Sequence, residues 1–181
     1  MSSLRDKFIY DIIDREGGYV DDPEDSGGET NFGITERVAR RYGYTGDMKD
    51  LPMETAFDIY EKIYWYSINL DVIEEMSSKI AEELIDTAGN MGVYRAGEFL
   101  QRSLNAFNKQ GSLYKDIKVD GDIGPRTLAT LKTYIYLRRE IGIPVFHRAL
   151  NALQGAFYIS LVERRQKDER FIFGWFANRV S

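Results

Sequence analysis

Residues 16–35 of this 181-residue chain read Glu-Gly-Gly-Tyr-Val-Asp-Asp-Pro-Glu-Asp-Ser-Gly-Gly-Glu-Thr-Asn-Phe-Gly-Ile-Thr, with six carboxylates and five glycines in twenty positions. Carboxylates in such a frame suit general acid and base work, one donating a proton to a leaving oxygen while another assists from the opposite side. Glu16 is the first candidate. It closes an amphipathic stretch in which Leu4, Phe8, Ile9, Ile12 and Ile13 recur at helical spacing. Standing four residues after Ile12 and three after Ile13, it is expected to project from the buried side. A partly desolvated carboxyl holds its proton closer to neutral pH, as an acid for glycoside cleavage must. Asp25, Glu29 and Thr30 are the candidates on the other side of a cleft. The competing reading is a solvated acidic turn, easily drawn from a chain with 29 Asp and Glu.

The elements that must position these groups follow from the glycines. Gly17 and Gly18 end the first helix and clear bulk from around Glu16. Gly27, Gly28 and Gly33 punctuate a segment that reads as a β-hairpin or small irregular lobe carrying Asp25, Glu29 and Thr30 on its turn. A helix-end acid followed by an acid-bearing hairpin is a lysozyme-like layout.

Taken together, Glu-Gly-Gly-Tyr, Asp-Pro and Gly-Gly-Glu-Thr-Asn-Phe-Gly-Ile-Thr resemble glycoside hydrolase family 108, the phage endolysins and bacterial muramidases of which some are known as secretion activators. The resemblance continues through Tyr64-Trp65 and Asp86-Thr-Ala-Gly-Asn90-Met-Gly92. It then enters a C-terminal half similar to the peptidoglycan-binding domain that accompanies the family. It implies an N-acetylmuramidase hydrolysing the β-1,4 bond between N-acetylmuramic acid and N-acetylglucosamine, with Glu16 in the position of the catalytic glutamate. Asp25 and Thr30 resemble the Asp and Thr of phage T4-type lysozymes, with one residue fewer before the threonine. In that arrangement they would hold an attacking water and give inversion. Glu29 is the rival second carboxylate, since it lies inside the Gly-Gly-x-Thr core. Tyr19, Asn31, Trp65, Asp86 and Asn90 are the expected substrate contacts. Trp65 would stack on a sugar face, and Asp86 and Asn90, four residues apart on one helix face, would bond an N-acetyl group or the loop backbone. For Trp65 the alternative is core packing, and for the Asp86–Asn90 pair it is a helix cap and its partner.

Composition bounds the partners. A net charge of −5 argues against nucleic acid, whose phosphates need Lys and Arg. It also gives no general attraction to an anionic wall, although Arg138-Arg139, Arg164-Arg165 and Arg179 leave room for local steering. The chain has no cysteine, and no stretch approaches the length of a membrane span or a signal-peptide core. The expectation is a monomer made in the cytoplasm without a signal peptide and without stable membrane insertion. It would act on peptidoglycan glycan strands of the periplasmic wall after a holin or export machinery gives access. No metal or organic cofactor is required for this chemistry, and lone His147 is expected to be packed or solvated.

The remainder reads as mainly helical, giving an α+β lysozyme-like helical bundle with a small β-hairpin lobe. Thr35 is a plausible N-cap, and Pro52 suits the start of a helix bearing Ala56, Phe57, Ile59, Tyr60, Ile63 and Tyr64. Ser77 or Ser78 caps another, a further helix starts near Tyr94, and residues 108–115 form a loop. Asp120-Gly-Asp-Ile-Gly-Pro-Arg-Thr127 is a turn opening a helix, similar to an element of peptidoglycan-binding modules, and its role is expected to be structural. One long helix is expected from residue 144 to about 170. The expected division is a catalytic domain over 1–93 and a helical domain over 94–181 packed on it. Two other classes fit less well: a non-catalytic wall-binding or secretion-assisting protein, which could dispense with Glu16, and a chitosanase-like glycosidase.

Overall fold

The computed structural model describes residues 3–21 and 28–180. Asp25 lies outside them. Among the described residues the chain is mainly α, with one two-stranded antiparallel sheet, and divides into two compact units, Met1–Tyr66 and Ser67–Ser181.

The first unit begins with α1, Leu4–Glu16, whose N-cap Ser3 accepts from the Asp6 amide. Ile9, Ile12 and Ile13 are its buried stripe, as their spacing requires. Gly17 ends it in a left-handed conformation (φ 77°), its N–H donating to the Ile13 carbonyl. The hairpin follows, with β1 (Thr30–Asn31) and β2 (Ile34–Thr35) paired Thr30 to Thr35 and Asn31 to Ile34. Its two turn residues, Phe32 and Gly33, both have positive φ (51° and 73°), as a type I′ turn demands. Thr35 then caps α2, Glu36–Arg41, by accepting from the Val38 amide. Helix α3, Met53–Tyr60, enters from Pro52 and passes into a π-helical turn, Glu61–Trp65. The apolar residues of α1, β2 and α3, with Met48 and Leu51, close into one core.

The second unit is a helical bundle of α4 (Leu70–Met76), α5 (Ser78–Met91), α6 (Val93–Ala106), α7 (Pro125–Arg164) and α8 (Glu169–Arg179). Ser77 caps α5, accepting from Ile80. The helix that opens at Pro125 is α7, as the Gly124-Pro125 pair implies; the separate helix expected from residue 144 to about 170 is corrected, since α7 breaks at Arg139 (φ 54°, ψ −146°), carries Pro144 inside the segment after the break and ends at Arg164. Phe107, Tyr134 and Phe146 cluster around that break, and the Tyr134 hydroxyl donates to the Gly142 carbonyl at 2.9 Å. The Asp120 to Thr127 motif is a turn held by Gln101 of α6. That buried amide donates to Asp120 Oδ1 and the Asp122 carbonyl and accepts from the Asp120 and Gly121 amides. Gly97 permits the approach, for a Cβ there would lie 2.0 Å from the Gly121 carbonyl oxygen. Helix α8 returns along α7, with Trp175 stacked on Tyr158 at 4.9 Å.

Candidate active site

Glu16 is the last residue of α1 and meets the hairpin turn at its narrowest point. A Cβ added to Gly33 would lie 2.8 Å from Glu16 Cβ, 2.9 Å from Glu16 Cγ and 2.9 Å from the Tyr60 hydroxyl. Only glycine serves there, on grounds of space and of φ alike. Tyr60, at the end of α3, fixes the turn by donating its hydroxyl to the Phe32 carbonyl at 2.7 Å. Tyr64, one helical turn on, stacks on Tyr60 at 6.0 Å. Both phenols are held above the usual tyrosine range, first by burial and then by the nearby charge of Glu16.

The expectation that Glu16 projects from the buried side is corrected. Its side chain is 45% exposed, with Arg15 Nε 3.8 Å from the carboxylate. The helix ends at this residue, so the i−4 and i−3 contacts to Ile12 and Ile13 anchor its backbone while the carboxyl extends past the core. An open carboxyl on a rigid base is reachable by a bulky substrate.

Glu29 and Thr30 stand on the hairpin. Thr30 bridges to Val20, with both backbone hydrogen bonds made at 2.8 and 2.9 Å, and the Thr30 hydroxyl donates to the Val20 carbonyl at 3.5 Å. The Glu29 carbonyl accepts from the Glu36 amide, tying the hairpin to the start of α2. Tyr19 lies near the Glu29 carboxylate, and its phenol is raised by desolvation and by Asp21 and Glu29. The structure therefore brings together Glu16 with Gly33, Tyr60 and Tyr64, and Tyr19 with Glu29.

Two of the expected sugar contacts are built into the scaffold. Asn31 is buried and its amide donates to the Met48 carbonyl at 2.8 Å and the Lys49 carbonyl at 3.3 Å, so it braces the hairpin rather than facing a ligand. Trp65 is 3% exposed, which places its ring in the core, as the packing alternative had it. Asp86 and Asn90 belong to the second unit. Asn90 donates to the Asp86 carbonyl at 2.8 Å and to its carboxylate at 3.1 Å, and Gln154 of α7 donates to the other carboxylate oxygen at 3.0 Å. Asp86 therefore anchors α5 to α7.

One turn before it, Glu83 is buried at the same helix contact, accepting from Asn151 at 2.9 Å and lying 3.4 Å from His147 Nε2. Burial and the charge of Asp86 push its carboxyl up to about 7. Burial and Lys79 hold His147 below the usual histidine range. Desolvation comes first in both shifts and disfavours the charged form of each partner, which weakens their contact as an ion pair.

Residues 9–92 match the family described as Glycosyl hydrolase 108, and residues 95–180 match the one described as Predicted Peptidoglycan domain. Residues 9–92, the N-terminal part of the chain, thus belong to the glycosyl hydrolase 108 family. The boundary between the matched regions falls between α5 and α6, within the second compact unit. Ten solved chains match. One, from the structure of Brucella abortus SagA, is 26% identical over 96% of this chain and 87% of its own, with a TM-score of 0.58. No curated protein matches. Membership supports a glycosidase acting in peptidoglycan chemistry and a mainly α lysozyme-like fold. Of the residues that carry the site, Tyr60 had no role in the sequence reading beyond an apolar face, and Tyr64 only that and its place in the Tyr64-Trp65 element of the resemblance. Their hydroxyls, on a helix otherwise lined by Ile and Ala, were the available signal.

Proposed function

We propose that the chain is an N-acetylmuramidase, hydrolysing the β-1,4 bond from N-acetylmuramic acid to N-acetylglucosamine in peptidoglycan. The observation that carries this reading is the position of Glu16. It is an exposed carboxyl on a rigid helix end, packed through its Cβ and Cγ against a glycine turn and set beside two neutral tyrosines. Glu16 protonates the departing glycosidic oxygen as the C–O bond breaks. A water then forms the new bond to the anomeric carbon and yields its proton to the second carboxylate. Asp25 is assigned that second role, with Thr30 helping to hold the water, and Glu29, next to Thr30, is the alternate. Tyr60 holds the turn through the Phe32 carbonyl, and Tyr64 sets a second phenol beside Glu16.

The enzyme acts as a monomer on glycan strands of the periplasmic wall, reached through a holin lesion or an export step. Mass spectrometry of digested peptidoglycan tests the reading: muramidase action leaves new reducing ends on N-acetylmuramic acid. Reducing ends on N-acetylglucosamine, or free stem peptides, would replace it with glucosaminidase or amidase action.

A further inference from the structure

The second unit carries a groove that glycan cleavage at Glu16 does not use. It lies between α6 and α7 as two contiguous hollows of about 410 and 360 Å³ that share Arg102 and Leu153. Its apolar lining is dominated by small side chains, Ala106, Ala149, Ala152 and Ala156, with Phe99 and Phe157 toward one end. Three guanidinium groups, from Arg95, Arg102 and Arg164, line the same hollow in a protein whose net charge is −5.

The three arginines are not equally occupied. Arg95 is fixed by an ion pair with Glu98 and lies over the Phe157 ring at 5.3 Å. Arg102 touches Glu98 only at 3.6 Å, and Arg164 donates to the Ser160 carbonyl at 2.8 Å through Nε and to the Ser160 hydroxyl at 3.5 Å through Nη2, so each keeps N–H donors beyond these contacts for an anion. A second observation points to a ligand. Ser103 lines the hollow, is 2% exposed, and its buried hydroxyl has no hydrogen-bond partner. A helical serine in a dry position ordinarily bonds a carbonyl one turn back, so an unpartnered hydroxyl under a groove is costly unless something bonds it.

We propose that this groove binds a peptide carrying free carboxylates and small alkyl side chains, the class to which peptidoglycan stem peptides belong; the identification of the occupant rests on the peptidoglycan reading above. Carboxylates pair with Arg102 and Arg164, methyl groups lie on the alanine floor, and a backbone or amide group meets Ser103. Glu98, set between Arg95 and Arg102, distinguishes this ligand from a dense polyanion. A phosphate chain laid across both arginines would meet its carboxylate, whereas a peptide that also carries an ammonium group would gain from it.

The test titrates the full chain calorimetrically with the free stem tetrapeptide, its carboxamide counterpart and inorganic phosphate. Saturable binding of the tetrapeptide is expected, weakened about tenfold or more by Arg102→Gln or Arg164→Gln through loss of a charge-assisted pair. It should also fall with added salt and be lost when Ala152→Trp fills the floor. Ala152 is exposed, so that variant should keep the melting temperature of the parent. Equal binding of the carboxamide, equal binding of phosphate, or indifference to all three substitutions would overturn the proposal. Turnover of peptide-stripped glycan strands is measured beside it. Turnover without peptide binding removes the groove site and leaves the hydrolase reading, and peptide binding without turnover does the reverse.

Discussion

Replacing Gly33 by alanine should damage this protein in two separable ways. The first is conformational: at φ 73° an L-residue with a Cβ is strained by about 1–2 kcal/mol. The second is steric. The new methyl would sit 2.8 Å from Glu16 Cβ and 2.9 Å from Glu16 Cγ and the Tyr60 hydroxyl, where ordinary contact begins at 3.4 Å. Glu16 or the hairpin must therefore yield by at least about 0.6 Å, and overpacking of this kind costs about 1–3 kcal/mol. Gly111→Ala is the control, because Gly111 is also a turn glycine with nearly the same φ (75°) and nothing closer than 4.0 Å to an added Cβ. Urea unfolding should place Gly33→Ala below Gly111→Ala by about 1–3 kcal/mol, the overpacking cost. Because the yielding atoms belong to the proposed acid, turnover should fall by up to ~10²-fold in the fraction that remains folded. Equal destabilisation by the two substitutions, with wild-type turnover in Gly33→Ala, would refute the claim that Glu16 is positioned by this turn.

Glu83 gives a pH signature: its folded value of about 7 lies above the 4.5 of the free side chain, so its protonated form favours the folded state. The stability so conferred is complete below about pH 4.5 and is lost as pH rises through 7, amounting to about 3 kcal/mol at 1.36 kcal/mol per pH unit. The stability difference between wild type and Glu83→Gln should follow that slope, and a difference flat from pH 4.5 to 8 would contradict it. Truncation after Lys109 removes α7, against which α5 and α6 are buried, and should yield insoluble or unfolded protein. A soluble, active fragment would show the helical partner to be dispensable. Asp25→Asn should cost more turnover than Glu29→Gln, and the reverse ranking would transfer the second role to Glu29.

What was legible in the sequence followed from local rules. The α1 stripe, the Thr35 and Ser77 caps and the glycine stop at Gly17 each depend on residues within a few positions of one another, whereas the hairpin was expected to carry Thr30 on its turn and instead has Thr30 in β1 and turns at Phe32-Gly33. The Glu16 exposure was misjudged because helical phase fixes a direction only while neighbouring turns exist, and Glu16 has none beyond it. The opening of α7 at Pro125 was legible from Gly124-Pro125, but the helix after the break was started at Pro144 because proline was read as a beginning. The break comes at Arg139, where Tyr134, Phe107 and Phe146 pack around the bend. Asn31 and Trp65 look like ligand contacts by residue type, yet their roles are decided by the Met48 and Lys49 carbonyls and by the core. Such long-range partners have no signature in spacing. The Glu83, Asp86, His147, Asn151 and Gln154 network spans helices almost seventy positions apart in sequence and was invisible for the same reason.

The central claim is that Glu16 is the proton donor for glycan cleavage, and the direct measurement is the rate at which reducing ends on N-acetylmuramic acid appear when purified peptidoglycan is incubated with wild-type and Glu16→Gln protein. The amide keeps the size and packing of the side chain against Gly33 but has no acidic proton to give. The rate should fall by ~10²-fold or more while the unfolding midpoint stays in place. A folded Glu16→Gln protein that releases those ends at the wild-type rate would contradict the assignment.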